Sequence, residues 1–204
     1  MLKKTNVTEN RIFTTKQLVI IAMLAALSYV LQLLHLPFKY LGFLEFEFSD
    51  IPAIVAGFVY GPLVGIMIEM IKNLIKGITA TTTGGVGEIA NFIISVAYIY
   101  PTCYLFRKLK GRGKYSVPFI TGVISMSVVG ILMNYFLMIP LQAKVYHLEI
   151  ETIVGWATAT IPAINDLFTL VILGITPYNI AKGLAISIIG FFCYKYLKNF
   201  MTEQ

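Results

Sequence analysis

An all-α integral membrane protein, built as a bundle of six transmembrane helices, is the fold class this chain predicts, and three observations predict it. The mean hydropathy is +0.79, with 57% hydrophobic and 13% charged residues, far too apolar for a surface that must face water. Apolar runs recur along the 204 residues at lengths that suit crossings of roughly 20 residues. The bases gather beside those runs, as Lys3, Lys4, Arg11 and Lys16, then Arg107, Lys108, Lys110, Arg112 and Lys114, then Lys195 and Lys198. The ~10-residue alternation of a membrane barrel is absent.

The segments in order are 17–35, 50–60, 62–78, 88–107, 117–140 and 177–197, all helical because lipid leaves backbone groups to be satisfied within the segment. They form a single membrane domain over 1–204. The first run begins at Leu18 and lacks a small-residue cleavage pattern, so it reads as a retained span rather than a signal peptide. Gly61-Pro62 divides the second from the third, since glycine suits a helix end and proline the first turn of the next helix. The second segment covers only about 16 Å of helix and must be tilted, sheltered by protein or extended by its loop. The stretch 141–176 is mostly apolar, with Trp156, Pro162 and Gly174. It is expected to be a folded external loop before the sixth helix; a crossing around 153–173 would place the C-terminus on the wrong side for Lys195 and Lys198.

With six crossings, both termini and the basic loop 107–114 share one face, the cytoplasmic one by the positive-inside rule. This accounts for the net charge of +6 without a nucleic-acid partner. The other face collects 36–49, 79–87 and 141–176, with Glu45, Glu47, Thr81, Thr82, Thr83, Glu149, Glu151, Asn165 and Asp166, so a ligand is expected to enter there. Asn6-Val7-Thr8 matches a glycosylation pattern, read as chance in a cytoplasmic tail. Cys103 and Cys193 fall in apolar stretches and read as small hydrophobes.

Phosphate-loop, His-Glu-x-x-His and Gly-x-Ser-x-Gly patterns are all missing, and neither His35 nor His147 has companions at metal-ligand spacing. No catalytic residue, metal or cofactor is therefore expected. Glu69 and Lys72, like Asn73 and Lys76, stand three apart on the third segment, close enough to meet on one helix; an internal ion pair and a proton relay both fit. Ala22 and Ala26 form a small-xxx-small pair that admits a close neighbour, either within the bundle or from a partner. Glu88 follows a Thr- and Gly-rich turn and complements a positive helix start. Asn179 and Lys182 share a face at the start of the sixth segment, and Asn134 lies near the outer end of the fifth. An amide and an amine at matched depth can hold a ring of alternating donors and acceptors, and interhelical bonding fits them as well.

Five stretches taken together, Phe48-Ser49-Asp50-Ile51-Pro52-Ala53, Gly61-Pro62-Leu63-Val64-Gly65, Glu69-Met70-Ile71-Lys72-Asn73, Thr83 to Phe92 and Pro177 to Gly183, resemble the riboflavin-specific S component of bacterial energy-coupling factor (ECF) transporters. The resemblance spans roughly 16–198 and is thinnest over 141–176. It implies a subunit of the bacterial cell membrane that captures riboflavin outside and releases it inside. A transmembrane coupling subunit and two ATPase subunits would power it, docking at Ala22 and Ala26. Carried over residue by residue, the implied ligand contacts are Leu44, Glu45, Asn134, Asn179 and Lys182. Riboflavin is then cargo, not a resident cofactor. Glu45, Glu47 and Glu88 near the mouth lead to the expectation that a phosphorylated flavin binds less well. The rivals are an S component for another vitamin such as thiamine, a stand-alone proton-coupled carrier resting on Glu69 and Lys72, and an intramembrane enzyme using Glu69 or Asp166.

Overall fold

Local sequence marks the helix starts, with a capping box at Thr14, a proline at Pro62 and a left-handed glycine at Gly85. The computed structural model describes residues 13–34, 39–111 and 113–202; Lys3, Lys4, Arg11, Arg112, His35 and the Asn6-Val7-Thr8 pattern lie outside them. α1 (Thr15–Leu33) starts with a reciprocal cap, in which Thr14 Oγ1 accepts from the Gln17 amide and Gln17 Oε1 accepts from the Thr14 amide. A two-residue hairpin follows, β1 (Lys39–Tyr40) antiparallel to β2 (Leu44–Glu45). Its turn includes Leu41 at φ 55°, an uncommon conformation for a side-chain-bearing residue, held there because Leu41 is fully buried.

α2 (Asp50–Tyr60) and α3 (Pro62–Thr79) are separated by Gly61 alone, at φ 111°, a conformation glycine adopts without a Cβ clash. α2 is as short as expected. Its shelter is protein, because Pro52 to Phe58 are all buried among α1, α3, α4 and α9. α4 (Val86–Lys108) packs on α3 and on α5 (Gly113–Met133).

Beyond α5 the helical path widens into a π turn at Asn134–Met138 and continues as α6 (Ile139–Tyr146). The short α7 (Ile150–Thr158) follows. Then α8 (Leu167–Thr169), a second π turn at Leu170–Ile175 and α9 (Thr176–Thr202) run on without a break. Each π turn ends two residues before a proline, Pro140 and Pro177, whose missing N–H and ring crowd the preceding turn. The expected bounds of the fifth and sixth segments are thus corrected. The fifth helical path continues past 140 to Tyr146, the sixth begins at Leu167 instead of 177, and the connection shrinks to 147–166 with α7 inside it.

Among the described residues, four helical stretches are long and apolar enough to cross a membrane. α3 falls outside that set by composition because it carries Glu69, Lys72 and Lys76. Two apolar clusters hold the bundle. One joins α1 to α5 and α9 around Ile54, Ile68, Tyr98 and Ile99; the other gathers Leu41, Ile153, Ile164 and Leu170 beneath the hairpin.

Candidate functional site

A cavity of about 340 Å³ opens where the clusters meet, with Met126 of the first and Ile175 of the second in its wall. That volume lies at the lower end of small-molecule sites. Its walls come from the hairpin, the 82–88 turn, the α5 path and the start of α9. Leu44, Glu45, Asn134, Asn179 and Lys182 all line it. Asn134 is the first residue of the π turn and donates from Nδ2 to the Gly130 carbonyl at 2.8 Å. Asn179 Nδ2 is buried without a hydrogen-bond partner among the described residues, the usual sign of a group awaiting a ligand or a water.

The hairpin is fastened over the cavity by charge and by one hydroxyl. Glu45 pairs with Lys39 across the strands at 3.0 Å and approaches Lys76 at 3.9 Å. Tyr178 donates to the Glu45 carbonyl at 2.6 Å, and its ring stacks with Tyr40. On the opposite rim Glu88 accepts from the hydroxyls of Thr81 and Thr83 at 3.0 and 2.9 Å. Glu88 therefore fixes its own turn as well as complementing the helix start.

Behind the cavity lies a buried ionic cluster. Lys72 pairs with Glu69 at 2.6 Å and with Asp50 at 2.7 Å, and it donates to Ser49 Oγ at 2.8 Å. Lys182 stands 3.0 Å from Asp50 and 3.5 Å from Glu47. Asn73 donates to the Glu69 carbonyl at 2.9 Å and accepts from Gln32 at 3.1 Å, rather than meeting Lys76. The internal ion pair expected of Glu69 and Lys72 is present, and it belongs to a larger set.

The three acids expected near the mouth do line the cavity, in the company of lysines. Glu45, Glu47 and Glu88 share the wall with Lys39, Lys76 and Lys182, and Glu45 and Glu47 each face a lysine. Asp166, one of the acids weighed for catalysis, is an exposed helix cap. It accepts from the Thr169 amide at 2.7 Å and hydroxyl at 2.8 Å, bonds that hold its carboxyl below the usual value. Ala22 and Ala26 lie exposed on α1, while Ile21, Ala25, Ser28 and Gln32 face inward. Gln32, Trp156 and Tyr178, not among the residues expected from sequence, also line the cavity. Tyr178 adjoins Asn179, a signal in the sequence itself; the other two carry no local signal.

Fold and site together define a membrane helical bundle enclosing a polar-walled cavity for a small molecule. The family described as "ECF transporter, substrate-specific component" matches residues 16–194. The "Riboflavin transporter FmnP" of Bacillus subtilis (strain 168) is 36% identical over 194 residues, covering 93% of this chain and 95% of the relative. The "Riboflavin transporter RibU" of Staphylococcus aureus (strain TCH60) is 31% identical, covering 98% and 97%. A solved structure described as "Structure and mechanism of the S component of a bacterial ECF transporter" superposes with a TM-score of 0.72 at 28% identity, covering 92% of this chain and 98% of that one. The chain belongs to the family of ECF transporter substrate-specific components. It is a multi-pass membrane protein of a transporter family, not an enzyme.

Proposed function

We propose that this chain is the subunit that binds riboflavin for ATP-driven uptake, working with a transmembrane coupling subunit and two ATPase subunits. The observation that carries the proposal is the convergence of Asn134, Asn179 and Lys182 on one cavity in a chain 36% identical to a riboflavin transporter over 93% of its length. Asn179 offers the flavin's pyrimidine edge a donor and an acceptor, Lys182 donates to a ring carbonyl, and Leu44 and Glu45 close the site from the hairpin. The tricyclic ring is apolar on its faces, which suits the aromatic rings of the hairpin. Riboflavin is cargo here, and no resident cofactor is invoked.

In this reading the whole of 1–204 is one membrane domain with six crossings, α2 and α3 supplying the second and third. Arg107, Lys108, Lys110, Lys114, Lys195 and Lys198 support a cytoplasmic location for both termini. Ala22 and Ala26 dock the coupling subunit. Titration of the detergent-purified protein with riboflavin tests the function. A yellow preparation, or saturable quenching of flavin fluorescence at one vitamin per chain, is the expected result. A folded, monodisperse sample with no flavin signal would move the substrate to another vitamin.

A further inference from the structure

The two buried lysines of the ionic cluster are used differently. Lys72 has three N–H donors and three acceptors within 2.8 Å: Ser49 Oγ, Asp50 Oδ1 and Glu69 Oε2. It is saturated, and it does not line the cavity. Lys182 lines the cavity and, among the described residues, has only Asp50 Oδ2 at 3.0 Å and Glu47 Oε1 at 3.5 Å. Asp50 Oδ2 itself receives no hydrogen bond of good geometry from the described residues. Asp50 anchors the Lys182 ammonium, and with three N–H donors and these two carboxylate oxygens beside it, at least one donor is left for something else.

Asp50 provides that anchor without being part of the wall. It is the first residue of α2 and is 1% exposed; a carboxylate is favoured there by the helix dipole. Its other oxygen, Oδ1, is fixed by Lys72 at 2.7 Å and by the Ser95 hydroxyl of α4 at 3.2 Å. Glu47 is a weaker anchor, since it stands farther from Lys182 and its Oε1 already accepts from Asn91 at 2.6 Å. One rigidly held carboxylate therefore decides where the cavity's ammonium sits.

We propose that Asp50 is a positioning residue for ligand capture, acting through Lys182 and never touching the ligand. The proposal rests on the reading of Lys182 as a ligand contact given above. Riboflavin affinity is measured for the wild type, Asp50→Asn, Lys182→Met and the double variant. Asp50→Asn should weaken binding about tenfold, the size of a lost charge-assisted hydrogen bond, and should add little once Lys182 is methionine. Equal losses in both backgrounds would mean Asp50 acts through the fold alone and would overturn the proposal.

Asp50→Asn strands half of a buried pair, which is costly to folding. Asp50→Asn combined with Lys72→Gln removes one charge of each sign and keeps the cluster's net charge. It should show the same loss and the same dependence on Lys182. A readout without vitamin uses acetic anhydride and mass spectrometry. Lys182 should resist acetylation in the wild type and react several-fold faster in either Asp50 variant; equal rates overturn the anchor. Because this measurement needs no riboflavin, a wild-type protein that fails to bind the vitamin sinks the proposed substrate while the anchor is still decided.

Discussion

At the scale of single residues, the cavity wall and the cluster behind it respond differently to substitution. Asn179→Ala and Lys182→Ala should each weaken riboflavin binding by about 1–3 kcal/mol, as expected for bonds to buried ligand groups, with the thermal unfolding of the empty protein little changed for Asn179→Ala. Unaltered affinity in both would remove the ligand from this wall. Lys72→Met should act the other way, destabilising the fold by about 3–5 kcal/mol because Glu69 is left a buried charge without its lysine and Asp50 keeps Lys182 alone, measured as a lower unfolding temperature in detergent. Much of this was legible in sequence. Pairs three apart, Glu69 with Lys72 and Asn179 with Lys182, need only helical geometry to be placed on one face. What spacing could not give was the link from Lys182 to Asp50, because it is made by the packing of α9 on α2, and no local rule encodes which distant carboxylate meets which amine.

Among the elements, contact between α2 and α3 depends on a missing side chain. A Cβ on Gly65 would stand 2.8 Å from the Ala53 carbonyl oxygen and 2.9 Å from Ile99 Cγ2, so Gly65→Ala should cost about 1–3 kcal/mol through overpacking. Gly77→Ala on the same helix meets nothing within 4 Å and is the matched control; equal unfolding temperatures for the two variants would refute the close approach. Gly130 plays a related part for the site, since a Cβ there would run into the Asn179 amide. Helix existence and type were readable throughout because apolar length demands them. The ends of the fifth and sixth segments were not. The expected bounds fell at Pro140 and Pro177, whereas the helical path absorbs each proline by widening into a π turn and carrying on.

For the whole molecule, two surfaces should separate under mutation: the cavity, and the exposed stripe of α1. Ala22 and Ala26 face outward, away from Gln32 and the cluster, so Ala22→Trp should leave riboflavin binding unchanged and abolish co-purification with the coupling subunit. Assembly unaffected by the bulky ring would place docking elsewhere. The membrane class and the bundle were legible because hydropathy leaves few alternatives. The hairpin and its fastening were not, since two-residue strands carry no periodicity, and their order comes from Tyr178 and Lys76 reaching them across the fold. One member of that region serves a further purpose. The chain has a single tryptophan, Trp156, and it lines the cavity beside Gly42 of the hairpin turn. Indole emits in the near ultraviolet, where the flavin ring absorbs, so an occupied cavity must drain that emission. The purified protein thus contains its own optical gauge of occupancy, readable without any label.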